Sequence, residues 1–214
     1  MARIELSEEQ RRTLDRLRAA SERLGLYLAG GTAIAIHLGH RTSRDLDLFS
    51  REPNLDLERV RSDLVELANS EVISISDATL ALRVDGVPVD VVRYPYPLLN
   101  PTWPGPRAFP IASLEDLATM KLSAAARRGI RRDFWDLHEI FQNGTVTLES
   151  ALESYVRRYG LKESDLYHVV KSLTFFDDAE ADVIMPEGMS KETWDAIKEW
   201  FLDHAPKALG AALE

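Results

Sequence analysis

The stretch "GGTAIAIHLGHRTSRDLDLF", residues 30–49, combines a glycine pair with a D-L-D triplet. The preceding "LYLAG" predicts a short strand that ends at a glycine turn, and "TAIAIHLG" predicts a short buried helix that stops at Gly39. The alternation of polar and apolar residues in "RDLDLFS" predicts a second strand. These residues therefore indicate a strand–helix–strand unit that carries an acidic pair on its second strand.

The acidic pair is Asp45 and Asp47. Residues two apart on a strand point to the same face, with Cα atoms about 6.5–7 Å apart. Carboxylates this close repel each other, and a hard cation such as Mg²⁺ or Mn²⁺ removes the repulsion. Asp90, in "VPVDVV", alternates with valines and is predicted to lie beside the pair, which makes all three candidate metal ligands and catalytic residues for phosphoryl transfer. The alternative for a D-x-D pair is the ordinary solvated face of a half-buried strand.

The glycine pair, Gly30 and Gly31, favours close approach of the backbone and precedes a helix N-terminus, where free N–H groups attract phosphate. Thr32 adds a hydroxyl donor. Further donors for the β and γ phosphates stand just before the acidic pair: Arg41, Ser43 and Arg44. By itself, a G-G-T triplet is more often a simple turn.

The rest of the chain divides into a strand-rich part and a helix-rich part. Ser7 and Gln10 predict a capping box for a first helix, and "DG" at 85–86 predicts a hairpin turn. A proline-rich stretch, 95–110, is typical of a crossover, and the residues after it follow helical patterns. We therefore expect an α+β fold, with a mixed β-sheet and flanking helices in residues 1–110 and a helical half in residues 111–214.

Composition restricts the partners and the compartment. The net charge of −9 makes general nucleic-acid binding unfavourable, and we expect no recognition of DNA sequence. The absence of cysteine excludes disulfides and thiolate metal sites and is consistent with a cytoplasmic protein. We find no run of 18 apolar residues in the sequence, so we expect no membrane partner.

The 30–49 stretch resembles the signature of the nucleotidyltransferase superfamily, and most closely that of the AbiEii/AbiGii-type nucleotidyltransferase toxin family, G-G-T-A…R-x-S-x-D-L-D-L-F. In that family a helical half carries D-L-x-x-x-K and then R-D-x-x-D-L. This chain has "DLATMK" at 116–121 and "RDFWDL" at 132–137. Many superfamily members have G-S at the turn where this chain has Gly31-Thr32, which keeps a hydroxyl. The resemblance spans residues 26–205.

The resemblance implies a nucleotidyltransferase-like α/β catalytic core in residues 1–110 and a helical domain, 111–214, that completes the active-site cleft. It implies metal-dependent transfer of NMP from an NTP to an acceptor, with release of pyrophosphate. Lys121 is then expected to contact the triphosphate. Asp133 and Asp136 are expected to complete the nucleotide site as ligands or as partners that orient Lys121. The basic cluster of residues 127–132 is either a solvated face or a contact for phosphate or an RNA end.

Three functions remain open at this point. The first is a toxin of a toxin–antitoxin or phage-defence system, whose acceptor is tRNA or another macromolecule, a protein included, and whose partner is a cognate antitoxin. The second is an enzyme that modifies a small molecule such as an aminoglycoside. The third is a degenerate, non-catalytic binding module, against which the intact Asp45, Asp47, Asp90 and Lys121 argue.

Overall fold

The computed structural model describes residues 6–66, 70–182 and 185–212. The chain forms two compact units, residues 1–113 and residues 114–214. Strands are confined to the first unit and the second is helical among the described residues, which confirms the predicted α+β class. None of the helices that these residues form has the length and apolar character needed to cross a membrane.

The first unit is built on a mixed sheet flanked by helices. Its elements are α1 (Glu8–Leu24), β1 (Leu26–Ala29), α2 (Gly30–Leu38), β2 (Leu46–Ser50), α3 (Leu57–Val65), β3 (Ser70–Ile75), β4 (Thr79–Val84), β5 (Val87–Arg93), β6 (Trp103–Pro104) and β7 (Pro110–Ile111). Within the described residues, the seven strands follow the order β3-β4-β5-β2-β1-β7-β6. Strands β2 and β5 run parallel, and β1 runs antiparallel to β2.

Alternation along the central strands separates an apolar face from a polar one. Leu46, Leu48, Val89 and Val91 are fully buried, whereas the residues between them are partly exposed. Helices α1 and α3 contact this sheet. Their apolar positions, among them Leu14, Leu17, Val60 and Leu64, are also fully or almost fully buried and supply the other half of the core. The partly exposed face is the one that carries Asp47 and Asp90.

Local sequence signals account for several boundaries. Ser7 and Gln10 form the predicted capping box at the start of α1. Asp85 and Gly86 both have positive φ and join β4 to β5 as the predicted two-residue hairpin. The proline-rich stretch is more ordered than a plain crossover, because β6 and β7 within it pair with each other and β7 adds to β1.

The second unit consists of α4 (Leu114–Arg128), α5 (Arg131–Gln142), α6 (Leu148–Tyr159), α7 (Leu166–Leu173), α8 (Asp177–Ala181) and α9 (Lys191–Ala212). An aromatic cluster joins α5 to α9, in which Phe134 contacts Phe176, Trp194 and Phe201 with ring centroids 5.2–5.8 Å apart. A fully buried ion pair joins α4 to α6: Arg158 Nη1 donates to Asp116 Oδ1 at 2.7 Å and to Thr119 Oγ1 at 3.0 Å.

Candidate active site

Two of the predicted carboxylates lie side by side in the sheet. Asp47 on β2 is in register with Asp90 on the parallel strand β5, and it also faces Ala29 across the antiparallel ladder to β1. Because residues in register on neighbouring strands point to the same face, both carboxylates project from the polar face of the sheet. The sheet itself therefore fixes the two positions relative to each other.

The position of Asp47 explains why residue 30 is a glycine. Gly30 has φ +66°, a conformation that L side chains rarely adopt, and a Cβ there would overlap the carboxylate of Asp47. Gly31 makes room for a different group, since a Cβ there would displace the guanidinium of Arg41. The two glycines thus let the start of α2 lie directly against one predicted metal ligand and one predicted phosphate donor.

Asp45 precedes the first residue of β2 and accepts two side-chain hydrogen bonds, and a third bond holds Ser43, which donates one of them. Thr32 Oγ1 donates to the backbone oxygen of Asp45 at 2.5 Å. Ser43 Oγ donates to Asp45 Oδ1 at 2.9 Å, and Gln10 Nε2 donates to the backbone oxygen of Ser43 at 2.9 Å. The hydroxyl of Thr32, expected to face phosphate, is instead buried and committed to positioning Asp45.

Asp45 and Asp90 interact electrostatically. Burial raises the pKa of Asp90, and the negative charge of Asp45 raises it further. In the described part of the chain, however, no three His, Asp or Glu side chains are grouped closely enough to hold a metal ion together. The register brings Asp47 and Asp90 together in the sheet, and convergence of all three on a cation stays a prediction.

Two of the predicted phosphate donors, Arg41 and Ser43, lie against Gly31 at the start of α2. No side chain caps the start of this helix, so no capping group accepts a hydrogen bond from its first backbone N–H groups. Arg41 is buried, lies against Gly31 and donates from Nη1 to the backbone oxygen of Thr42 at 3.0 Å. Arg44 is exposed. Positive charge and backbone donors are therefore present beside the carboxylates.

The predicted residues of the second unit form a buried cluster of charges. Lys121 Nζ lies 2.8 Å from Asp133 Oδ1 and 2.8 Å from Asp136 Oδ2, and Arg128 donates to Asp133 from the other side. Burial alone would lower the pKa of Lys121, but the two carboxylates outweigh it and raise this pKa. Likewise burial would raise the pKa of Asp133, but Lys121 and Arg128 hold it below its usual range.

This geometry favours one of the two roles expected for the aspartates. Asp133 and Asp136 are fully buried within ion-pair distance of Lys121, which is consistent with partners that orient it, and this role stays a prediction. The triphosphate contact expected of Lys121 stays a prediction. Part of the basic cluster 127–132 is used within the second unit, since Arg128 binds Asp133 and Arg131 donates to the backbone oxygen of Asp182 at 2.5 Å.

Comparison with known proteins identifies the same family as the sequence motifs. The family model described as "Nucleotidyl transferase AbiEii toxin, Type IV TA system" matches residues 12–214. An uncharacterised protein of Aquifex aeolicus (strain VF5) is 32% identical over 198 residues, which covers 92% of this chain and 94% of the relative.

Two solved structures have a similar fold. MenT4, described as a nucleotidyltransferase toxin from Mycobacterium tuberculosis H37Rv, superposes with a TM-score of 0.59 at 17% identity, over 94% of this chain and 91% of its own. The solution structure of the antibiotic-resistance factor ANT(2'')-Ia gives a TM-score of 0.56 at 15% identity, over 76% of this chain and 97% of its own. At these identities the two structures support the fold alone.

Proposed function

Because the chain belongs to the AbiEii nucleotidyl transferase toxin family, we propose that it transfers NMP from an NTP to a macromolecular acceptor. In this reaction an acceptor hydroxyl loses its proton, its oxygen bonds to the α-phosphorus, and the bond to the bridging oxygen breaks, so that pyrophosphate leaves. The observation that carries the proposal is the register of Asp47 with Asp90 beside Gly30.

Asp45, Asp47 and Asp90 would hold the divalent cation. The donor set fits, because Mg²⁺ and Mn²⁺ prefer carboxylate oxygens. Asp47 and Asp90 are adjacent on one face, and Asp45 lies close enough to raise the pKa of Asp90. A bound cation there would neutralise charge that develops on the phosphoryl oxygens and activate the attacking oxygen.

The chain's own groups bind the other end of the nucleotide. The first N–H groups of α2 point away from the helix, where the helix dipole favours the negative charge of a phosphate. Gly30 and Gly31 let this helix start approach a ligand closely, and Arg41 supplies N–H donors beside it. Ser43 uses its one hydroxyl hydrogen for Asp45 and keeps that carboxylate oriented while the triphosphate binds.

A macromolecular acceptor, with RNA as the first candidate, fits the family better than a small molecule, since the family is described as a toxin in a toxin–antitoxin system. MenT4 is likewise described as a nucleotidyltransferase toxin. The ANT(2'')-Ia fold shows that the same architecture also occurs in an antibiotic-resistance factor. The acceptor therefore has to be identified by experiment.

The test is incubation of the protein with each α-³²P-labelled NTP, Mg²⁺ and total RNA, followed by separation of RNA, protein and small molecules. We expect label in RNA with wild-type protein and none with Asp47→Ala. Glu71→Ala is the matched control, because Glu71 is an exposed carboxylate on another strand of the same sheet. Label that appears only in a small molecule would support the alternative acceptor. No transfer from any NTP to any acceptor would contradict the proposal.

A further inference from the structure

Asp45 differs from the other two carboxylates in how it is positioned. Asp47 and Asp90 lie inside β2 and β5, where ladder hydrogen bonds on both sides fix the backbone. Asp45 precedes the first residue of β2 and is exposed. The ladder therefore does not determine the direction of its carboxylate, and other contacts must do so.

The loop before Asp45 has little packing on one side. A cavity of about 610 Å³ borders Thr42, Ser43 and Arg44, and the same cavity is lined by Gln10 and Thr32. Close packing against neighbours is what normally holds a side chain in one position. Because the cavity removes part of that packing, the loop depends on its hydrogen bonds.

Two of these bonds are donated to Asp45, one by Thr32 at the start of α2 and one by Ser43. A third bond comes from a distant element. Gln10, in the first turn of α1, donates from Nε2 to the backbone oxygen of Ser43 at 2.9 Å, across 33 residues of sequence. Ser43 in turn donates to the carboxylate of Asp45. Gln10 is 4% exposed, although Ser43, to which it donates, is partly exposed and borders the cavity.

Resting on the proposed function, we infer that Gln10 is a positioning residue for the metal ligand Asp45, acting through Ser43. Its amide has two separate tasks. Oε1 accepts from the backbone N–H of Ser7 at 2.9 Å and completes the capping box, whereas Nε2 orients Ser43. A group that bonds a metal ligand directly, as Ser43 bonds Asp45, typically contributes a factor of about 10–100 to metal affinity, and Gln10, one bond further out, is expected to contribute less.

The double task makes the inference testable with one near-isosteric change. Gln10→Glu keeps the acceptor for the Ser7 N–H, since glutamate is equally suited to a capping box, but it removes the donor to Ser43. Ser7→Ala is the matched control. It removes the hydroxyl that accepts from the Gln10 N–H at 3.1 Å and leaves the Gln10–Ser43 bond intact.

Electron paramagnetic resonance measures the binding of Mn²⁺ to the full chain in the presence of a non-hydrolysable ATP analogue. Thermal unfolding of the same proteins gives Tm. We expect Gln10→Glu to weaken Mn²⁺ binding by about 3- to 10-fold and to lower Tm, because a carboxylate oxygen then faces the backbone oxygen of Ser43 without a hydrogen between them. We expect Ser7→Ala to lower Tm and leave Mn²⁺ affinity within about twofold of wild type.

A second readout separates positioning from general damage. Where transfer is measured, the Mg²⁺ concentration for half-maximal rate should rise in Gln10→Glu while the rate at saturating Mg²⁺ approaches wild type. Equal Mn²⁺ affinity of Gln10→Glu and wild type would overturn the inference and leave the proposed function standing. Wild-type protein that binds no Mn²⁺ with the analogue would instead contradict the proposed function.

Discussion

Asp47 and Asp90 occupy paired positions on two parallel strands, and Asp47 also lies against the backbone of Gly30. Two carboxylates placed this way repel each other unless a cation or a proton lies between them. A sheet that only needed a solvated face would have no reason to retain both, because neutral polar residues would avoid the repulsion. The pairing of Asp47 with Asp90 therefore supports the proposed role of this face of the sheet in metal binding.

The first prediction concerns the balance between activity and stability at these carboxylates. Asp90→Asn should reduce nucleotide transfer by about 100-fold or more, since it removes a charge on which the cation depends. The same change should keep or raise Tm in the absence of metal, because it removes a repelling charge. Added Mg²⁺ and NTP should then raise the Tm of wild type more than that of the variant. A variant with lower Tm and full transfer would reverse both expectations.

The second prediction concerns Gly30. Gly30→Ala should destabilise the chain by about 1–3 kcal/mol through its positive φ, and it should also reduce transfer strongly by displacing Asp47. Gly25→Ala is the matched control, because Gly25 has φ +60° with nothing within 4 Å of an added Cβ. Chemical unfolding should show a loss of stability in both variants, larger in Gly30→Ala because its Cβ also overlaps Asp47, and transfer assays should show a strong loss only in Gly30→Ala. Similar transfer by the two alanine variants would mean that the Gly30–Asp47 contact does not matter for the reaction.

The sequence predicted the features that local patterns encode. The capping box of Ser7 and Gln10, the hairpin at Asp85 and Gly86 and the helical second half follow from short-range rules, and all are present. The sequence predicted only that Asp90 lies beside Asp45 and Asp47. It did not predict the parallel register of Asp47 with Asp90, because local patterns do not determine which residues of distant strands pair. The bond from Gln10 to Ser43 was not foreseen, since nothing in a capping signal indicates what the remaining amide nitrogen will contact.

The third prediction concerns the toxin role. Expression of the wild-type chain alone should slow bacterial growth, and Asp47→Ala should restore it at equal protein levels, since the carboxylate is needed for transfer. Glu71→Ala should remain as toxic as wild type. Growth rates with immunoblots for protein level provide the measurement. Normal growth with wild-type protein that is active in vitro would leave the enzyme assignment and remove the toxin role.

The fourth prediction concerns whether Lys121 contributes to stability, to nucleotide transfer or to both. Lys121→Met leaves Asp133 and Asp136 buried with a partner missing, which should cost about 3–5 kcal/mol of unfolding free energy. Arg158→Met should cost a similar amount, because it leaves the buried Asp116 without its ion pair. Urea unfolding gives both values. If Lys121 also contacts the triphosphate, nucleotide transfer measured on folded protein should fall in Lys121→Met and stay unchanged in Arg158→Met. Equal transfer by the two variants would mean that Lys121 contributes to stability alone.

The last prediction concerns pH. The pKa of Asp133 is lowered in the folded chain, so its contribution to stability is complete above the ordinary value of 3.8 and is lost as pH falls through the lowered pKa. The pKa of Lys121 is raised, so its contribution is complete below 10.5 and is lost as pH rises through the raised pKa. Wild type should therefore lose stability at both extremes relative to a neutral variant in which Lys121→Met, Asp133→Asn and Asp136→Asn are combined. Urea unfolding from about pH 3 to about pH 11 measures the difference. A constant difference across this range would show that the buried cluster is not ionised in the folded chain.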